Sequence, residues 1–376
     1  MSAASPWSRD IAVGLAGSGH DVRIVDFQNT DGEAYLHPVD PFQARAVAAF
    51  TRQFEIHSFH GGRHAVSGCV PLALALRKML RRTGPDLLLT LYAGRFAAAA
   101  YLCGFRPFAV YVAGSDILIG GRAKRLATRH ILSAATVVIA NGGYLAGKTR
   151  EIAPRANIVA LCHGTDTMKF SPGCPPSLPI RVVCTRGFLE IYNNRLLIES
   201  LSTMGNLLGE LEVVFAAPGP LLAPARELAD RILSPQQRKR VRFLDGASRD
   251  EMAELLQASH IYVSCSRSDG TSTSLMEALA CGLFPVLSDI PPNREWIDTN
   301  AANGILTRVD DAPALGGALV HAARDRELRA RAATFNRRLI LERADLRTNM
   351  SRLGRMLEAH ASSSARSRAA AAWAKN

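Results

Sequence analysis

The sequence predicts an α/β protein of two doubly wound domains whose sheets face a cleft. Short apolar runs alternate with longer helical patterns, a rhythm that implies parallel strands with helices on both sheet faces. The rhythm stops at a segment rich in Pro and Gly, FSPGCPPSLP (170–179), and then restarts. At 376 residues the chain is also longer than one ordinary core and fits two.

In the first half, DVRIVDF (21–27), PDLLLTL (85–91), FAVYVAG (108–114), ATVVIAN (135–141) and NIVALCHG (157–164) read as strands. Helical stretches such as FQARAVAAFTR and VPLALALRKMLRR separate them. In the second half the strands are IRVVCTRG (180–187), LEVVFAAPG (211–219), VRFLDG (241–246), HIYVSCS (260–266) and LFPVLSD (283–289). The division expected is 1–170, 171–345, and a C-terminal helix with a basic tail over 346–376. The low-complexity end, ASSSARSRAAAAWAKN, reads as a frayed helix or disordered tail.

A doubly wound domain ordinarily opens with a strand that feeds its first ligand loop. Here MSAASPWSRD reads as that loop and runs directly into the helix SRDIAVGLAGSG, so the N-terminal first strand is expected to be missing. An edge-trimmed sheet is the alternative. Gly14, Gly17 and Gly19 end this helix and precede a strand, the reverse of a dinucleotide fingerprint, and Gly19 reads as a helix C-cap.

Seven cysteines form no CxxC pair and suit a reducing compartment. No apolar run reaches the ~18 residues of a membrane span, and the start lacks the pattern of a signal peptide. A cytoplasmic protein is expected. Most of the +12 formal charge lies in residues 1–170, in clusters such as RKMLRR (77–82) and GRAKRLATR (121–129). Such clusters serve nucleic acid, anionic lipid or phosphate-bearing substrates, or are a solvated helix face. Aromatics make up 6% and are not interleaved with the cations, which argues against nucleic acid. His57, His60 and His64 have a spacing that could hold a metal, but a strand entering a Gly-Gly turn does not give a zinc geometry, and no metal is expected.

SDGTSTSLMEALACG (268–282) carries more chemistry. Strand, then a loop of small hydroxyl residues, then helix places unpaired amides and a positive helix end at the ligand edge of the sheet, where a diphosphate belongs. Thr271 to Ser274 let a phosphate approach the backbone. Asp269 and Glu277 flank this site, and ionised carboxylates accept from sugar hydroxyls but repel phosphate. Hydroxyls on both sides of a diphosphate describe a nucleotide-sugar.

At these residues the sequence resembles the retaining glycosyltransferases of family 4, which have the two-domain, Rossmann-like GT-B architecture. Their signature, Glu, seven residues, Glu, reads here as Asp269, seven residues, Glu277. The resemblance implies that Glu277 holds the nucleotide ribose, Asp269 the transferred sugar, and Arg186 in VVCTRGF the diphosphate. Gly270, Thr271, Thr273, Ser274 and Leu275 line the same donor site, and Gly246 in VRFLDGAS lies near the base. Tyr192 stands where a Lys usually follows, so Arg195 or Arg267 would compensate; Ala217 in FAAPGP replaces a Gly. In the first half, YVAGSDIL implies that Asp116 contacts the reacting hydroxyls, and Ser5 to Arg9 would lie near the diphosphate. The implied reaction moves a sugar, with retained configuration, from a nucleotide-diphosphate donor (UDP by analogy) to a hydroxyl of a glycan or lipid-linked acceptor, without a metal cofactor. Peripheral contact with an anionic membrane follows from the basic first half. A nucleotide-sugar epimerase and a noncatalytic nucleotide-sugar-binding relative are the competing readings.

Overall fold

A computed structural model describes residues 6–29, 54, 56–61, 68–300 and 302–373. The chain divides into two compact units, Met1–His163 with Leu346–Asn376, and Gly164–Asp345.

The first unit opens with helix α1 (Pro6–Gly17), followed by β1 (Ile24–Asn29) and β2 (Ile56–Gly61). Then come α2 (Cys69–Thr83), β3 (Leu88–Leu91), α3 (Arg95–Cys103), β4 (Phe108–Val112) and the short α4 (Ser115–Leu118). It continues with α5 (Arg122–Ala134), β5 (Val137–Ala140), α6 (Gly143–Ile152) and β6 (Ile158–Ala160). The strands form a two-stranded sheet, β1-β2, and a four-stranded sheet, β3-β4-β5-β6, all parallel.

Burial explains why β4 and β5 read as unbroken apolar runs. Phe108, Val110, Val112, Val138 and Ala140 face a core shared with α3, α5 and α6. Ala109, Tyr111, Val137 and Ile139 face the opposite way, against Ile11 and Leu15 of α1. The period-two alternation of a strand thus buries both faces. The segment FQARAVAAFTR lies outside the described residues.

The second unit comprises β7 (Ile180–Cys184), a 3-10 turn (Glu190–Tyr192), α7 (Asn194–Thr203), β8 (Leu211–Phe215), α8 (Leu222–Ile232), α9 (Pro235–Arg238) and β9 (Val241–Phe243). It continues through α10 (Arg249–Gln257), β10 (Ile261–Ser264), α11 (Thr273–Ala280), β11 (Phe284–Ser288) and α12 (Pro291–Arg294). β12 (Ile305–Thr307), α13 (Ala312–Arg324) and α14 (Arg326–Arg343) complete it. One parallel sheet runs β12-β11-β10-β7-β8-β9. Its order reverses at β7, which has β8 on one side and β10 on the other, and the crevice beyond the ends of β7 and β10 is the switch point where ligands bind.

The final helix, α15 (Leu346–Trp373), belongs with the first unit. Met350, Leu353 and Leu357 enter the α1 core, and Asn349 Nδ2 donates to the Cys162 carbonyl at 3.0 Å. α1 and α15 approach so closely that a Cβ at Gly14 would lie 2.3 Å from Met350 Cγ. Gly19, at φ +93°, ends the chain's first helical segment as the sequence predicts. No described helix is long and apolar enough to cross a membrane.

Candidate functional site

The switch-point crevice of the second unit brings together residues distant in sequence. β7 ends at Cys184 and presents Arg186 two residues later; β10 ends at Ser264 and leads through RSDGTS into α11. Ser272 is the N-cap of α11, its Oγ accepting from the Leu275 amide at 3.3 Å. Arg186 is 8% exposed, and its Nη1 donates to Ser272 Oγ at 2.9 Å and to Ser274 Oγ at 3.1 Å. Its Nη2 donates to Asp269 Oδ2 at 2.6 Å. A guanidinium is thereby fixed at the positive end of a helix, a concentration of positive potential suited to an anion.

Two further features set this cluster apart. Arg186 Nε and Thr185 Oγ1 are buried without hydrogen-bond partners, and buried donors of this kind are rare in finished cores. The centroid of the Tyr192 ring, from the 3-10 turn, lies 3.9 Å from the Arg186 guanidinium carbon, a cation–π contact. Burial pushes the Asp269 carboxyl up, against the pull of the Arg186 charge and of the Gly270 amide, which donates to Oδ1 at 2.9 Å. Tyr262 beneath them is pushed up to about 12, chiefly by burial.

The loop bearing Arg186 is held from below. Asn194 Nδ2 donates to the carbonyls of Arg186 and Gly187, both at 3.1 Å. Phe188 donates to Pro218 O at 3.0 Å, and a Cβ at Gly219 would sit 2.5 Å from Phe188 backbone atoms. The glycine in FAAPGP is thus a close-approach position. Thr271 and Leu275 are buried, Thr273 and Ser274 half-buried, and Glu277 is half-buried on the second turn of α11. The Glu277 charge, after burial, helps push the Cys281 thiol up to about 12. Gly246 lies beyond β9 at φ +143°, a conformation that favours glycine.

The residues expected to replace the absent lysine are engaged elsewhere. Arg195 pairs with Glu199 on its own helix at 2.6 Å, and Arg267 pairs with Asp310 at 2.8 Å and Glu190 at 3.2 Å. Asp269, expected to meet a sugar, is paired with Arg186 at 2.6 Å.

Asp116 belongs to the first unit and anchors two loops. Its Oδ1 accepts from the amides of Ala113 at 3.2 Å and Gly114 at 2.8 Å, and its Oδ2 from Ala93 at 2.8 Å. A carboxylate offers about four acceptor positions, so three bonds leave room for a hydroxyl. Ser8 is buried in α1 beside Trp7, whose ring packs edge-on against Tyr111; Ser5 lies outside the described residues. Of the three histidines, His57 and His60 fall in β2, and His64 lies outside the described residues. Sequence reading missed the tasks of Asn194 and Tyr192; an Asn opening a helix after an Arg-bearing strand end is the signal that would have found the first.

Residues 195–339 match the family described as Glycosyl transferases group 1. No curated protein matches the sequence. Among solved structures, HepE of Anabaena in complex with UDP superposes with a TM-score of 0.76 at 14% identity, covering 94% of this chain and 97% of that one. Sucrose-phosphate synthase of Thermosynechococcus elongatus gives 0.72 at 15% identity, over 93% and 91%. A glycosyltransferase of Rickettsia africae gives 0.71 at 14% identity, over 91% and 98%. At such identities the likeness is one of fold, and that fold is GT-B. Domain and fold together define the protein as a glycosyltransferase. More narrowly, its second unit carries a Glycosyl transferases group 1 domain.

Proposed function

We propose that the chain is a retaining hexosyltransferase of family 4 type, moving a sugar from a UDP-sugar to a hydroxyl of a glycan or lipid-linked acceptor in polysaccharide or glycoconjugate synthesis. The observation that carries this reading is Arg186, buried at the N-terminal end of α11 with an unpartnered Nε and bonded to Ser272 and Ser274. A diphosphate entering there replaces Asp269 on the guanidinium and meets the amides opening α11. The same cation stabilises the departing nucleoside diphosphate as its charge develops. Asp269, once released, accepts from the sugar hydroxyls, and Glu277 from the ribose. Asp116 supplies its remaining acceptor position to the reacting hydroxyls. Guanidinium and helix end carry the leaving-group charge, so the reaction proceeds without a metal, in the cytoplasm, at the inner face of an anionic membrane that its basic first unit contacts. The HepE structures, which hold UDP, glucose or UDP-glucose, support UDP as the nucleotide.

The test is thermal unfolding with UDP and with GDP, followed by transfer from a UDP-sugar panel in EDTA. A nucleotide at ~100 times its Kd adds about 2.7 kcal/mol, a rise in Tm of a few degrees. UDP is expected to stabilise the wild type but not Glu277→Ala, and EDTA to leave transfer unchanged. Stabilisation without turnover of any donor would favour the noncatalytic relative, and sugar isomerisation without an acceptor the epimerase.

A further inference from the structure

The 3-10 turn that carries Tyr192 has little core of its own. None of Glu190–Tyr192 is buried, and Leu189 and Ile191 are exposed. Two amide bonds close the turn, from Tyr192 to Leu189 O at 3.0 Å and from Asn193 to Glu190 O at 3.2 Å. A single 3-10 turn has poor hydrogen-bond geometry, and a segment with so few buried contacts opens readily. Yet the Tyr192 ring is seated over Arg186, so its position must be fixed from outside the turn.

Both chain neighbours of Tyr192 are tied to other loops. Ile191 O accepts from the Arg267 amide, in the loop after β10, at 2.9 Å. Asn193 Nδ2 donates to Asp310 Oδ1, in the loop after β12, at 2.8 Å. The same carboxylate takes the Arg267 side chain, whose Nη2 donates to Oδ1 at 2.8 Å and whose Nε donates to it at 3.1 Å. Asp310 therefore joins the loops that follow β7, β10 and β12. The hydrogen bond from Arg267, foremost among the causes, holds its carboxyl below the ordinary range, so Asp310 is charged at neutral pH. The second partner of Arg267, Glu190, is 85% exposed, and a pair so open to water contributes little.

Backbone geometry singles out the same two side chains. Asn193 has φ +49° and Asp310 φ +62°, in the left-handed region that glycine enters without strain. Two side chains that bond each other stand there instead, of the types that tolerate the region best. Non-glycine residues persist in such conformations where the surroundings fix them, and they cluster at ligand sites. We propose, on the donor reading of Arg186, that Asp310 is a positioning residue for the diphosphate. Without touching the donor, it clips Asn193 to Arg267 and so holds the Tyr192 ring against the guanidinium that the diphosphate meets.

Glycine variants of the full chain provide the test, because glycine keeps a left-handed backbone and removes the clip. In Asp310→Gly and in Asn193→Gly, amide exchange at Tyr192 and Asn193, read without nucleotide, is expected to quicken about tenfold or more. UDP, titrated calorimetrically, is expected to bind both variants several-fold more weakly, by no more than the loss that Tyr192→Ala causes alone. In the Tyr192→Ala background, Asp310→Gly is expected to cost no further affinity, the mark of a residue that acts through the ring. Unchanged exchange in both glycine variants would overturn the clip. An equal further loss in the Tyr192→Ala background would overturn action through Tyr192. Tighter UDP binding by Asp310→Gly would overturn the positioning role, since Asp310 would then be withholding Arg267 from the diphosphate. A wild type that binds no UDP, with exchange responding as expected, would overturn the donor reading of Arg186 and with it the role at the diphosphate.

Discussion

Arg186 is where the donor reading is most exposed to test, because four side chains act on one guanidinium. Asp269 neutralises it, Ser272 and Ser274 aim one edge, and the Tyr192 ring covers a face. Tyr192→Phe keeps the ring and should leave UDP affinity within about twofold, whereas Tyr192→Ala removes a contact of roughly 1–2 kcal/mol and should weaken UDP binding about tenfold. Calorimetric titration of both variants separates ring from hydroxyl. The family resemblance offered Arg186, Asp269 and Glu277, but it could not offer their state. That Asp269 turns onto Arg186 depends on burial of both groups, and burial belongs to the folded loop and not to the spacing. Tyr192 read as a lost cation for the same reason: a ring stacked on a charge leaves no trace in a linear pattern.

Among the elements, β8 shows how a mostly buried sheet handles charge near its edge. Glu212 accepts from Arg181 Nε of β7 at 2.8 Å and from Arg242 Nη1 of β9 at 2.9 Å, bridging three strands. Burial raises its carboxyl, but the two arginine hydrogen bonds outweigh that and the net shift is downward. A carboxyl lowered in the fold contributes stability above its unfolded value, near 4.3, and that contribution fades as pH falls through the folded value. Glu212→Gln should therefore cost about 1 kcal/mol at pH 7, a cost that shrinks as pH falls from the unfolded value through the lower folded one, read from denaturant midpoints at each pH. The strands themselves were legible, since those buried on both faces form unbroken apolar runs that periodicity detects. β12, three residues long, was not among the strands that the apolar rhythm marked.

At the scale of the whole molecule, the last helix departs from the order of the sequence. Met350, Leu353 and Leu357 of α15 complete the core of the first unit, beside α1. A chain ending at Asp345 loses three buried apolar side chains, each worth roughly 1.5–3 kcal/mol. Calorimetry should then find the first unit's transition lowered or lost while UDP still stabilises the second. No composition argument assigns α15 to the first unit; the low complexity of its end hides the apolar face that precedes it. The chain therefore crosses from one unit to the other twice, after His163 and after Asp345. The second unit begins and ends at one spot: Thr165 donates its amide to Ala344 O at 2.8 Å, and Thr167 Oγ1 donates to Asp345 Oδ2 at 2.6 Å. In genetic terms it is a cassette with stapled ends. Residues 164–345 form a single reading frame carrying Arg186, Asp269, Ser272, Ser274 and Glu277 together, so the proposed donor site can be evolved, exchanged or assayed apart from the first unit.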